Sequence, residues 1–145
     1  MKIPVLLLIA CSFILSCNRI QSGTALNDED LKRIKDIHLL DEGERIIKFY
    51  SEYKKEVAGN FFSDKRIASY WIDEKNPDKN RVNSAYYREI RSIDTVSKPG
   101  GSYSPYMMVT KFDNSRFKVS VNGQQAQIKE FFEEAMKQWR LRRTR

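Results

Sequence analysis

The sequence predicts an α+β domain in which N-terminal helices pack on an antiparallel β-meander and a C-terminal amphipathic helix covers the core. Three observations predict it. Residues 106–121 alternate in polarity about a turn at Asp113-Asn114-Ser115. Residues 128–139 carry apolar side chains at steps of three, one, three, one and three. Residues 31–71 space theirs every three or four positions. Helices, then a meander, then a covering helix is the order of a two-layer α+β unit.

The first helix starts at Asn27 or Asp28. Either can cap it, and Asp28, Glu29 and Asp30 suit its positive end, while Leu31, Ile34, Ile37 and His38 form one edge. A second helix is expected from Asp41, with Glu44 three residues on as a capping-box partner. Ile46, Phe49, Tyr50, Tyr53 and Val57 would form its apolar face, and Gly59 would stand at its end. A third is expected from Ser63, with Ile67, Tyr70 and Trp71 inside, stopping before Asn76-Pro77.

Residues 73–83 read as a polar loop. In residues 86–98 two readings compete: Val82, Tyr86, Ile90 and Ile93 suit a helix, whereas Ile93-Asp94-Thr95-Val96 running into Pro99-Gly100-Gly101 favours a strand over about 88–97. Tyr106, Met108, Thr110 and Phe112 share one face of the next strand, and Phe117, Val119 and Val121 share one face of the last. Asn122-Gly123 then releases the chain into the final helix, which runs into a basic tail.

Lys2, the apolar run of residues 3–15 and the closing Ile14-Leu15-Ser16-Cys17 have the form of a secretion signal, and the run is too short for the roughly 20 residues that cross a bilayer as a helix. This segment resembles the signal of bacterial lipoproteins. Leu8-Ile9-Ala10-Cys11 has similar letters but leaves a shorter apolar run. The resemblance implies removal of residues 1–16, lipidation at Cys17 and attachment to a membrane without a spanning segment, since two or three acyl chains hold stably where one does not. Asn18, where an aspartate is absent, implies for an enterobacterial lipoprotein the outer membrane, facing the periplasm or the cell surface. Residues 17–27 are expected to be the lipidated start and a flexible tether, and 28–145 a single domain. Its element order also resembles, loosely, the cystatin-like and nuclear-transport-factor-like α+β folds.

The chain has 41% apolar and 12% aromatic residues, enough for a core, and a formal net charge of +7. Cys11 would leave with the signal and Cys17 would carry lipid, so no disulfide is expected. Catalytic signatures are missing. There is one histidine, His38, no nucleophile motif and no glycine-rich phosphate loop, and neither a cofactor nor a metal is expected. The carboxylate pairs Glu52/Glu56 and Glu130/Glu134 lie four apart among lysines and read as solvated helix faces.

Candidate contact residues are Tyr103 and Tyr106, in a proline-bounded loop at a strand edge, and Arg140, Arg142 and Arg143 of the basic tail. Dispersed basic residues argue against nucleic acid. The expectation is a non-catalytic, lipid-anchored envelope protein that binds another protein, as an accessory or an inhibitor or immunity factor. The alternative is a ligand-binding or enzymatic domain with a pocket between helices and sheet, lined by Tyr50, Tyr53, Trp71 and Phe112.

Overall fold

The computed structural model describes residues 19–144, so the signal segment and Cys17 lie outside the described residues. The fold is α+β: the described residues form two α-helices and eight antiparallel strands in two sheets, with the C-terminal helix closing the core. Strand β1 (Gln21–Ser22) is followed by α1 (Asp28–Asp36), then β2 (Ile46–Tyr50), β3 (Ala58–Ser63), β4 (Arg66–Trp71) and β5 (Arg81–Tyr86). A second sheet contains β6 (Ile90–Val96), β7 (Tyr106–Lys111) and β8 (Arg116–Ser120), and α2 (Gln125–Arg142) ends the chain. Spatial order is β1-β2-β3-β4-β5 in one sheet and β6-β7-β8 in the other.

The first helix, the meander and the last helix form where the sequence predicts them. Asn27 caps α1 reciprocally: its Oδ1 accepts from the Asp30 amide at 2.8 Å and Asp30 Oδ2 accepts from the Asn27 amide at 3.3 Å. Beyond the helix, His38 takes a left-handed backbone conformation at φ 62° and turns the chain so that Leu39 and Leu40 are buried. Ile128, Phe131, Phe132, Ala135 and Trp139 of α2 are buried, and Trp139 Nε1 donates to the Ile90 carbonyl at 3.3 Å.

The predicted second and third helices are instead β2, β3 and β4. The bond expected of a capping box exists, since Glu44 Oε2 accepts from the Asp41 amide at 2.7 Å, but it closes a turn that leads into a strand. A β-bulge between Ile46 and Lys48 then breaks the two-residue period. As a result Ile46 and Phe49 pack in one core cluster, and Ile47 and Tyr50 on the other. Apolar positions three apart are thereby produced by a bulged strand, which is the spacing a helix would give.

The sheet is also buried on both faces. Leu26, Ile34, Leu40, Phe61 and Ala68 pack on the side of α1, whereas Phe62, Ile67 and Ala85 pack with Met107, Val119 and Phe131 on the side of the second sheet and α2. A doubly covered strand loses its polar alternation, and β3 is buried along its whole length. The core is thus two clusters separated by the first sheet, where a single curved meander covered by helices is expected.

Gly59, placed by the sequence at a helix end, is the second residue of β3 and lies opposite Tyr70. A Cβ there would overlap the Tyr70 ring and crowd that of Phe49. Gly59→Ala is expected to lower unfolding stability by about 1–3 kcal/mol, because the rings can only move by disturbing packed neighbours. Urea titration measures it, and a neutral result would show that the rings have room to retreat.

Two smaller corrections concern loops. Gln21 and Ser22 pair with Phe49 and Lys48, and Leu26 is buried, so this part of the expected flexible tether is bound to the domain. The polar loop beginning at residue 73 ends where β5 starts at Arg81. A 3₁₀ turn at Tyr87–Glu89 then carries the chain between sheets, which is why residues 82–93 mix two kinds of spacing.

Candidate functional site

The inward face of the first sheet changes character in rows. Phe62, Ile67 and Ala85 stand side by side across β3, β4 and β5, and form an apolar row. One step along, Asn60, Ser69 and Asn83 form a polar row, and beyond it Trp71 stands beside Arg81. The second sheet covers the apolar row but leaves a cleft of about 510 Å³ over the other two. Arg116, Lys118 and Ser120 of β8, with Met108 of β7, form its far side.

The Asn60 amide organises the inner end. Its Oδ1 accepts from the Ser120 backbone amide at 3.0 Å and its Nδ2 donates to Glu52 Oε2 at 2.7 Å, so both of its polar atoms are engaged while the residue is 4% exposed. Burial raises the Glu52 carboxyl above its ordinary pKa, although the Asn60 hydrogen bond opposes the shift. Trp71 is 41% exposed at the mouth. Lys118 Nζ lies 4.4 Å from the centroid of the Tyr106 ring. Arg81 and Arg116 make no ion pair among the described residues. The cleft therefore offers amide and hydroxyl groups as a floor, one indole, and three cations against one carboxylate. Such a lining suits a polar, negatively charged guest.

A second polar cluster lies at the turn between β3 and β4. Arg66 Nε and Nη2 grip the two oxygens of Glu44 at 3.0 and 2.8 Å, and Nη2 also lies 2.7 Å from Asp41. Ser63 Oγ donates to Glu44 at 2.5 Å, and Tyr86 stacks on the guanidinium at 4.3 Å while its hydroxyl donates to Asp41. Burial pushes the Asp41 carboxyl up, but the hydrogen bonds from Arg66 and Tyr86 outweigh it and hold the group below its ordinary pKa. With every partner internal, this cluster is a structural tie between the 38–45 loop and the sheet.

The candidate residues from the sequence are dispersed. Tyr103 is exposed in the loop before β7, and Tyr106 borders the cleft through Lys118. Arg140 is exposed, Arg142 Nε donates to Gln138 at 2.8 Å, and Arg143 lies 5.4 Å from the Trp139 ring. None of the three lines the cleft. The alternative pocket does not assemble either, because Tyr50 is in the core, Tyr53 and Phe112 are 55% and 65% exposed, and Trp71 alone of the four reaches the cleft.

Glu130 and Glu134 both reach Lys48, at 3.1 and 3.6 Å, and so join α2 to β2. Glu52 and Glu56 lie in the turn after β2, where Glu56 meets Arg33 at 3.6 Å. His38, exposed after α1, accepts an Arg66 hydrogen bond on its carbonyl.

Sequence reasoning missed Asn60, Ser69, Asn83 and the cations around them. The alternation Arg116-x-Lys118-x-Ser120 was the visible signal, whereas Asn60 and Ser69 were hidden inside segments that read as helices.

No protein-family model matches the chain, and no curated protein does. Among solved structures, a DUF1696 family protein with a pleckstrin-homology domain from Shewanella loihica PV-4 is similar over 79% of this chain and 97% of its own, at 12% identity and a TM-score of 0.48.

Proposed function

We propose that this chain is a lipid-anchored, non-catalytic protein of the bacterial cell envelope whose domain captures another protein in the cleft between its sheets, in an accessory or inhibitory role. The observation that carries the reading is the polar row Asn60–Ser69–Asn83 beside the guanidiniums of Arg81 and Arg116, which make no ion pair among the described residues. Asn60 is already satisfied by Ser120 and Glu52, but Ser69, Asn83, Arg81 and Arg116 make no side-chain hydrogen bond or ion pair among the described residues, and such groups around one cleft suit recognition of a polar guest. Among the described residues Glu52 is the one carboxylate lining the cleft, against three cations, which favours binding of an anionic guest there. The lipid anchor rests on the signal-like segment ending at Cys17.

The test combines two measurements on the full chain in its native membrane. A photo-crosslinking residue at Asn83 is expected to trap a discrete partner, and the R81E/R116E double variant to lose that adduct while keeping its thermal melt. Intact mass is expected to show a start at Cys17 with added acyl mass, lost in Cys17→Ala together with membrane association. An adduct that survives the charge reversal would remove the cleft from the reading, and an unmodified mass would remove the anchor.

A further inference from the structure

The cleft contains a free strand edge, and two backbone bonds identify which residues own it. The Val121 amide donates to the Pro105 carbonyl at 3.0 Å and the Lys111 amide to the Ser115 carbonyl at 2.9 Å. In an antiparallel pair the residues that exchange bonds alternate along each strand. With Met107 opposite Val119 and Val109 opposite Phe117, the odd-numbered residues of β8 turn their peptide groups toward β7. Arg116, Lys118 and Ser120 accordingly turn theirs the other way, toward the cleft. The Ser120 amide is taken by Asn60. At Arg116 and Lys118 no strand lies alongside among the described residues, since β8 is the last strand of its sheet.

We infer that this edge receives an extended acidic segment of the partner protein as an added β-strand; the inference rests on the protein-binding reading above and specifies its chemistry. An unpaired edge supplies alternating donors and acceptors that match any extended backbone, and the side chains beside it choose the sequence. Here the two residues that own the edge are both cationic, and Arg81 faces them across the cleft. Directly opposed side chains on an added strand would meet Arg116 and Lys118 on one face, so acidic residues at every second position are favoured. The intervening positions would lie over the polar row of Asn60, Ser69 and Asn83.

The same charges decide against a second copy of this chain. Two β8 edges pairing would set arginine and lysine against each other, and like charges directly opposed are destabilising. An anionic glycan could meet the cations but would leave the edge amides of Arg116 and Lys118 without a matched ladder, which favours a peptide.

The probe is the capped hexapeptide Ac-ETETET-NH2, added to the full-length protein in detergent, with Ac-KTKTKT-NH2 and an oligogalacturonate as comparisons. The acidic peptide is expected to slow amide exchange at Lys118 and Arg116 about tenfold or more as the edge becomes hydrogen-bonded. R116E/K118E is expected to weaken its binding by about tenfold or more, with steep loss in raised salt. N-methylation of alternate peptide amides, which leaves the protein untouched, should abolish binding in one of the two phases.

Binding that survives methylation in both phases but fails in R116E/K118E overturns strand addition and leaves the cleft reading in place. Binding of the oligogalacturonate without the peptide overturns a peptide guest. Failure of the acidic peptide to protect the two amides overturns the inference, and only loss of the Arg81/Arg116-dependent crosslink at Asn83 overturns the reading beneath it.

Discussion

Arg66→Met is expected to destabilise the domain by about 3–5 kcal/mol, because it removes one partner of a buried ion pair and strands the other. The Arg66 side chain is 2% exposed and that of Glu44 is fully buried. Without the guanidinium, Glu44 keeps the Ser63 hydroxyl and the Asp41 amide, two neutral donors for a buried charge. The His38 carbonyl also loses its donor, and Tyr86 loses the cation stacked on its ring. Urea unfolding at neutral pH measures the loss, and a cost below about 1 kcal/mol would mean that water reaches Glu44 and replaces the arginine.

The double variant Arg66→Met/Glu44→Leu is expected to recover part of the stability, since exchange of a buried pair for apolar groups is often neutral, while the His38 carbonyl and Asp41 still lack the guanidinium. Acid acts on the same cluster through Asp41. Its folded pKa lies below the unfolded value, so its contribution is complete above the ordinary carboxylate pKa and is lost as pH falls through the depressed folded one.

What the sequence could and could not reveal divides along burial. The last three strands and α2 were legible because each has one wet side: Lys118 and Ser120 alternate with Phe117 and Val119, and Lys129, Glu130 and Glu133 oppose Phe131 and Phe132. Strands β3 and β4 were not, because α1 covers one face and the second sheet the other. Adjacent Phe61 and Phe62 go to opposite cores, and no period of two survives. In β2 the bulge supplied a false helical period, and the real turn bond from Glu44 to Asp41 looked like a helix start. The cleft was illegible for a related reason. Asn60, Ser69 and Asn83 are separated by nine and fourteen residues in the chain, and only the register of three strands makes them neighbours. Tyr106 was found because a partly exposed aromatic at a strand start is a local property; the cations it adjoins are set by pairing with β8.

Phe131→Ala in α2 is expected to cost about 3–5 kcal/mol, the range for deleting a buried aromatic ring. Phe131 is fully buried, meets Phe62 edge-on at 5.0 Å and 80° between planes, and lies 6.3 Å from Phe132. Those contacts hold α2 against both sheets at once, since Phe62 belongs to β3 and the same cluster includes Met107 and Val119 of β7 and β8. The cavity cannot close by a side-chain shift alone, because its neighbours are anchored in three elements. Phe131→Leu keeps most of the volume and should cost less than about 1.5 kcal/mol. Phe62 also stands two residues from Asn60 on the same face of β3, so the apolar row that the second sheet and α2 cover together and the polar row that floors the cleft are successive steps of one strand. If α2 supports the core without shaping the cleft, Phe131→Ala will unfold at lower urea yet, below its transition, bind the acidic peptide as the parent does. A parallel loss of stability and binding would show that the cleft geometry is set by the packing of α2 through β3.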